Sequence, residues 1–266
     1  MAFNWINAEE FSFNTFLLMD RWMIRFITKI KWPEFRKDLG IALTHNPSVC
    51  WYFINKCPEC KDDVYEMLQN LPINLTDEEI RKSEIFVLNE IDSFVVYVYP
   101  NIMEQCPYIR DWKEERLLSM VDFKDKVVLD IGSGTGRLAF VAAKLAKWVY
   151  ASEPVDRLRE YMREKIQRLQ VKNMFVIDGT VERIPFENDV FDIVMAAHVV
   201  GDDYVKEYNE MKRVVKSGGY IIDCMGEDDR KRNAPSEDLI KLGFDYSHYT
   251  SISGGDVYRY WKQIIK

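Results

Sequence analysis

The sequence predicts an α/β protein: a doubly wound, mostly parallel sheet of seven strands behind a mainly helical N-terminal part. Three observations predict it. From residue 126 onward, short apolar runs alternate with stretches of helical spacing, the pattern of repeated βαβ units. The first of these runs ends directly in glycines at alternate positions, Gly132, Gly134 and Gly136. The last two runs flank Gly254-Gly255, a hairpin signal that adds an antiparallel strand to the sheet.

Residues 1–110 read as mostly helical and hold half of the aromatic side chains. Prolines 33, 47, 58, 72, 100 and 107 cut this part into short segments. Asn46-Pro47, with Thr44 before it, and Thr76-Asp77-Glu78-Glu79 read as helix entries. Phe94 to Tyr99 fits either a short strand or a buried helical turn. The texture changes between 110 and 122, so residues 1–110 are expected to form an N-terminal cap or substrate domain and 111–266 the ligand-binding domain. In the second part, strands are expected at 126–131, 148–153, 175–177, 191–195 and 220–222, and then at about 245–252 and 256–264. Helices are expected at 136–147, 155–170, 203–215 and 236–242. The fifth strand, from Tyr220, follows Ser217-Gly218-Gly219.

The chain has 266 residues, 47% hydrophobic and 30% charged, with a net charge of −7. This is ordinary globular usage, which excludes disordered and collagen-like chains. With no basic stripe to neutralise phosphates, no nucleic-acid partner is expected. Five cysteines without a secretory signal read as a reducing, cytoplasmic setting. The most apolar early stretch, Phe11 to Ile30, carries Asp20, Arg21, Arg25 and Lys29, which suits an amphipathic helix and not a membrane span.

The chemistry concentrates in Val128-Leu-Asp-Ile-Gly-Ser-Gly-Thr-Gly-Arg137. Glycines let the backbone turn tightly and let a ligand lie against bare main chain. The helix that follows offers free N–H groups. In such sheets a ligand lies outside the carboxyl ends of the strands. The dinucleotide fingerprint Gly-x-Gly-x-x-Gly fails here, because Arg137 stands where its third glycine belongs. Asp130 would repel a pyrophosphate but suits a cationic or amine-bearing ligand. Glu153, at the tip of the next strand, is placed to accept hydrogen bonds from both hydroxyls of a ribose, which marks an adenosine-type ligand.

Residues 122–225 resemble the class I S-adenosylmethionine-dependent methyltransferases, in particular the small-molecule type related to quinone biosynthesis. Asp130-Ile-Gly-Ser-Gly-Thr-Gly136 is similar to the first motif of that family, and Glu153 sits where its ribose-binding acid belongs. Gly179 to Phe186 resembles the third-strand segment, Phe191-Asp-Ile-Val194 the fourth strand, and Glu210 to Gly219 the helix into strand five. The resemblance implies a Rossmann-like methyltransferase fold and S-adenosyl-L-methionine as cofactor. It implies that Gly132, Ser133, Gly134 and Gly136 pass under the cofactor and that Asp130 lies near its methionine moiety. Glu153 would take the ribose hydroxyls, with Pro154 beside the adenine and Thr180 and Val181 near the adenine amine and ring. Ala197 and His198 would face the sulfonium. Thr180 replaces the family's usual Asp, so Asp178 or Glu182 stands as a substitute for that contact.

The expected activity is methyl transfer to a small, partly apolar molecule, with the N-terminal part roofing the substrate site. His198 is the candidate base, since an imidazole with a pKa near ~6.5 is mostly neutral at pH 7. Three other readings stand beside it: a regulatory module that binds the cofactor without catalysis, an aminopropyl transferase, and an NAD-dependent oxidoreductase, which Arg137 disfavours. Some features have plainer readings. Asp202 and Asp203 read as helix caps. Cys57-Pro58-Glu59-Cys60 supplies two thiols where a structural zinc site wants four ligands, so it reads as a helix-entry turn. The run from Glu227 to Arg232 reads as a solvated loop.

Overall fold

The structure, a computed structural model, describes residues 6–201, 203–227 and 230–266. Asp202, and Asp228 and Asp229 of the charge run, lie outside the described residues. The chain divides into two compact units, Met1–Tyr99 and Pro100–Lys266. The boundary falls ahead of the change in texture that the sequence places at 110.

The first unit holds six α-helices among the described residues, besides short 3-10 turns: α1 (Arg21–Lys29), α2 (Pro33–His45), α3 (Pro47–Lys56), α4 (Lys61–Met67), α5 (Asp77–Glu90) and α6 (Asp92–Val98). Helix α6 resolves the ambiguity at 94–99 in favour of a helical turn. Apolar residues at helical spacing explain the burial. Phe35, Leu39 and Leu43 put three side chains on one face of α2, all without exposure. Thr76 opens α5 with a full capping box, its side chain accepting from Glu79 while Glu79 reaches back to the Thr76 N–H. The turn before α3 has no such bond, because the Asn46 amide donates backwards to the Ala42 carbonyl at 2.9 Å. Gly40 admits a neighbour, since a Cβ there would stand 2.2 Å from the Met67 carbonyl oxygen. Cys57 and Cys60 are both fully buried, with sulfurs 2.6 Å apart.

The second unit opens with three short helices, α7 (Pro100–Met103), α8 (Pro107–Arg110) and α9 (Glu115–Leu118). Then come β1 (Val127–Ile131), α10 (Arg137–Ala142), β2 (Trp148–Ser152), α11 (Asp156–Leu169), β3 (Met174–Ile177) and β4 (Phe191–Ala196). The chain ends with α12 (Tyr204–Val214), β5 (Val215–Cys224), α13 (Glu237–Lys241), β6 (Asp245–Thr250) and β7 (Asp256–Gln263). The strands form one sheet in the order β3-β2-β1-β4-β5-β7-β6. All pairs are parallel except those of β7 with β5 and β6. Seven strands, the doubly wound order and the closing hairpin are as expected from the sequence.

Two apolar layers cover the sheet. Leu117, Leu138, Ala139 and Met162 from α9, α10 and α11 pack on the face shown by Val128, Ile193 and Ile222. Tyr208, Met211 and Leu239 from α12 and α13 pack on the face shown by Leu129, Val194 and Ile221. Strands buried on both faces read as near-continuous apolar runs, and this one does. Two elements differ from the sequence expectation. Helix α10 stops at Ala142, short of 147. Strand β5 begins at Val215, ahead of the expected Tyr220, and runs through Ser217-Gly218-Gly219. Its pairing with β4 shifts register between Phe191 and Ile193, so the glycines mark an irregularity within a strand. A Cβ on Gly219 would stand 2.6 Å from the Asp192 carbonyl oxygen, which explains the glycine there.

Candidate active site

Neighbouring strands β1 and β4 lead to helices on opposite faces, so the carboxyl end of β1 is a switch point of the sheet. Strand alternation sends Asp130 to the same face as Val128, toward α10. Its carboxyl is 1% exposed. Burial pushes its pKa up to about 7, opposed by hydrogen bonding to Ser133 and by the charge of Arg137. Its Oδ2 is closed to solvent and meets no donor.

The chain leaves β1 through Gly132, Gly134 and Gly136, all with positive φ. Gly132 is held by both conformation and space: φ is +63° and a Cβ would lie 2.3 Å from Val199 Cγ2. At Gly134, φ is +58° and a Cβ would meet only Met103, at an ordinary 3.5 Å, so bare main chain is presented there. The loop is stitched to β2. Ser133 donates its N–H to the Ser152 carbonyl at 3.1 Å and its hydroxyl to the Asp130 carbonyl at 2.9 Å.

Glu153 completes the stitching. Its Oε2 accepts the Gly134 N–H at 2.8 Å and its Oε1 accepts the Val155 N–H at 2.9 Å. Its burial pushes the carboxyl up to about 7, opposed by those two N–H groups. Each oxygen keeps a further lone pair that a hydroxyl donor can use. Asp130, the glycine loop with Ser133, Glu153 and Pro154 therefore stand together at the ends of β1 and β2. This acid-rimmed glycine cradle suits an adenosyl group with an amine-bearing tail, which is the fit expected for S-adenosylmethionine.

The remaining candidates spread along the same edge. Thr180 is exposed and its carbonyl accepts the Arg183 N–H at 3.4 Å. Asp178 is an exposed partner of Arg159 at 3.4 Å, and Glu182 is exposed. Val181 is buried among the α12-side core residues. Ala197 is half-buried past β4. His198 has a φ of +59°, and its Nε2 accepts the Gly226 N–H at 3.2 Å. A neutral ring that accepts at Nε2 carries its proton on Nδ1, so the lone pair a base needs is already in use. In this state Gly226 engages the ring nitrogen that a base would use.

The chain is similar to known methyltransferases. Residues 129–223 match the family described as "Methyltransferase domain". This matched segment is similar to S-adenosylmethionine-dependent methyltransferases. Among its relatives, a demethylmenaquinone methyltransferase of Geobacillus sp. (strain WCH70) is 28% identical over 116 residues, 42% of this chain and 50% of that protein. A tRNA U34 carboxymethyltransferase of Ruthia magnifica is 35% identical over 118 residues, 42% of this chain and 36% of that protein. The chain thus spans about half the length, or less, of these curated relatives. A S-adenosylmethionine-dependent methyltransferase structure from Aquifex aeolicus aligns with a TM-score of 0.50 at 19% identity, covering 62% of this chain and 96% of that one. One from Methanococcus maripaludis aligns at 0.51 and 16%, covering 64% and 92%. These two share the fold.

The second unit also holds buried charged groups whose setting the sequence does not announce, Arg137 and Asp223. Arg137 Nη2 donates to the Cys224 carbonyl at 3.1 Å, and its guanidinium lies 4.6 Å from the Trp112 ring centroid. Asp223, near the end of β5, is 5% exposed among Tyr208, Ile221, Leu239 and Phe244, and burial pushes it up to about 7. An acid inside the apolar run Ile221-Ile222-Asp223-Cys224 was the sequence signal for it. Among the described residues no helix is long and apolar enough to cross a membrane.

Proposed function

We propose that the chain is an S-adenosylmethionine-dependent methyltransferase that modifies a small, partly apolar molecule. The observation that carries this reading is the bond between Glu153 and Gly134, which joins an acid for a ribose to a bare-backbone loop for the adenosyl tail. When bound, the cofactor supplies a methyl group on a sulfonium, an already activated leaving group. The protein's work is then orientation. Gly132 to Gly136 would underlie the cofactor, Asp130 would face its ammonium, and Glu153 would hold the ribose. Pro154 and Val181 would flank the adenine, with Thr180 near its amine. Ala197 and His198 would border the acceptor. Holding the two reactants in line accounts for ~7–11 kcal/mol of barrier in well-oriented systems. Tyr108 packs edge-on against His198, which puts an aromatic face at this border and supports a partly apolar acceptor.

The engaged lone pair of His198 favours an acceptor that needs no dedicated base, such as a thiolate or a stabilised carbanion. The relative that acts on demethylmenaquinone supports the carbanion-like class. Calorimetry with S-adenosylmethionine, S-adenosylhomocysteine and NAD tests the reading, together with transfer of a labelled methyl group into a metabolite extract. Binding of both sulfur nucleosides and labelling of a small molecule are expected. Binding of NAD alone, or binding without any transfer, would overturn it.

A further inference from the structure

The methyltransferase domain buries an arginine that is only half used. Arg137 starts α10 with its side chain on the face shared by Asp130 and Cys224. Burial pulls its pKa down, while Cys224 and Asp130 oppose that shift. One edge of the guanidinium is fixed by the Cys224 carbonyl, and one face is covered by Trp112. The remaining Nη1 is closed to solvent and has no acceptor. The covering residue has the same defect, since Trp112 Nε1 is buried without a partner. A buried donor left unpaired costs about 1–3 kcal/mol, and more when it is charged. Two such donors in one stack mark a place built to receive an acceptor from outside.

Charge around the stack narrows what that acceptor is. Asp130, Asp223 and Glu227 lie buried in the same region, and Arg116 faces Glu227 at 3.7 Å while stacking on Tyr249 at 3.5 Å. These acids, each with a buried oxygen that meets no donor (Asp130 Oδ2, Asp223 Oδ1 and Glu227 Oε1), disfavour a multiply charged phosphate more than a singly charged anion. A singly charged planar group fits. Arg137 Nη1 and Trp112 Nε1 can each donate to an oxygen of a carboxylate.

We propose that Arg137 and Trp112 together form a carboxylate-binding subsite at the end of β5, serving methyl transfer. This rests on the adenosyl reading of the cradle. The carboxylate has two chemical sources, the amino-acid tail of the cofactor or the acceptor molecule. In either case Arg137 fixes the angle at which its owner enters the site.

The test is the indole N–H resonance of Trp112 in the ¹⁵N-labelled protein, assigned by its loss in Trp112→Phe. If the cofactor supplies the carboxylate, S-adenosylhomocysteine moves this resonance downfield, and 5′-methylthioadenosine, which lacks the amino-acid tail, leaves it in place. If the acceptor supplies it, neither nucleoside moves it, and acetate added to the S-adenosylhomocysteine complex does, while acetamide does not. Arg137→Gln should then weaken S-adenosylhomocysteine binding at least tenfold with 5′-methylthioadenosine binding unchanged, or abolish the acetate response. A resonance that moves with none of these compounds overturns the proposal, and the wild-type spectra decide this even if the variant fails to fold. Failure of the adenosyl reading looks different: 5′-methylthioadenosine would not bind the wild-type protein at all.

Discussion

Glu153 accepts the backbone N–H of Gly134 at 2.8 Å, a bond that ties the end of β2 to the loop after β1. It makes the ribose acid and the glycine loop one unit, so removing the carboxylate should disturb both. Glu153→Ala is expected to weaken S-adenosylmethionine and S-adenosylhomocysteine binding by at least tenfold, about 1.4 kcal/mol. Glu153→Gln keeps the volume but turns an amide donor toward one of two N–H donors, and should weaken binding as well. Calorimetry reads both variants, and unchanged affinity in Glu153→Ala would refute the ribose assignment.

Three buried carboxyls, Asp130, Glu153 and Asp223, are each pushed up to about 7 by burial. In an unfolded chain they would titrate at 3.8 for Asp and 4.5 for Glu. Between those values and about 7 the folded protein holds more protons than the unfolded one. Stability therefore falls as pH rises through this window, and is fullest below it. The ligand-free protein should melt at a higher temperature at pH 5 than at pH 8. Asp223→Asn removes one such charge, so its melting temperature relative to wild type should climb between pH 5 and pH 8. Parallel melting curves at the two pH values would show that Asp223 carries no such strain.

The sheet and the cradle were legible because local signals and tertiary roles coincide there. Short apolar runs became β1 to β4, and the spacing of Gly132, Gly134 and Gly136 forced the turn. The Thr76 box opened α5 for the same reason, since a cap is a local bond. Strand β5 starts earlier than its apolar run, because Ser217-Gly218-Gly219 carries no apolar signal although its backbone is in the strand. The setting of Arg137 is not legible in the sequence because it depends on Trp112 and Cys224, which are far away in sequence. His198 lies past β4, as the sequence places it, and its contact with the Gly226 N–H is one that no spacing announces.

Gly40 lies in the first unit, where α2 runs past the end of α4. A Cβ there would stand 2.2 Å from the Met67 carbonyl oxygen and 3.3 Å from Leu71 Cδ2. The near neighbour is backbone and cannot rotate away. Gly40→Ala should therefore destabilise this unit by about 1–3 kcal/mol, the usual cost of overpacking, despite alanine's better helix propensity. Denaturant melts followed by helical circular dichroism measure this, and a stabilised variant would mean that the two helices separate easily.

His198 offers the sharpest contrast between two roles. A dedicated base contributes ~10²–10⁴-fold to a proton-coupled transfer. Here Nε2 accepts the Gly226 N–H, so the ring in this state holds the segment after β5 and has no lone pair to give. His198→Asn suits the test, because asparagine tolerates the left-handed backbone at this position and keeps a side-chain acceptor. If the ring only holds Gly226, labelled-methyl transfer by His198→Asn should stay within about tenfold of wild type. Its acidic pH limb should also persist, since the imidazole would not be the group that titrates. A loss of a hundredfold or more, with the acidic limb gone and S-adenosylhomocysteine affinity intact, would mean that the Gly226 bond opens during turnover and that His198 takes the acceptor's proton.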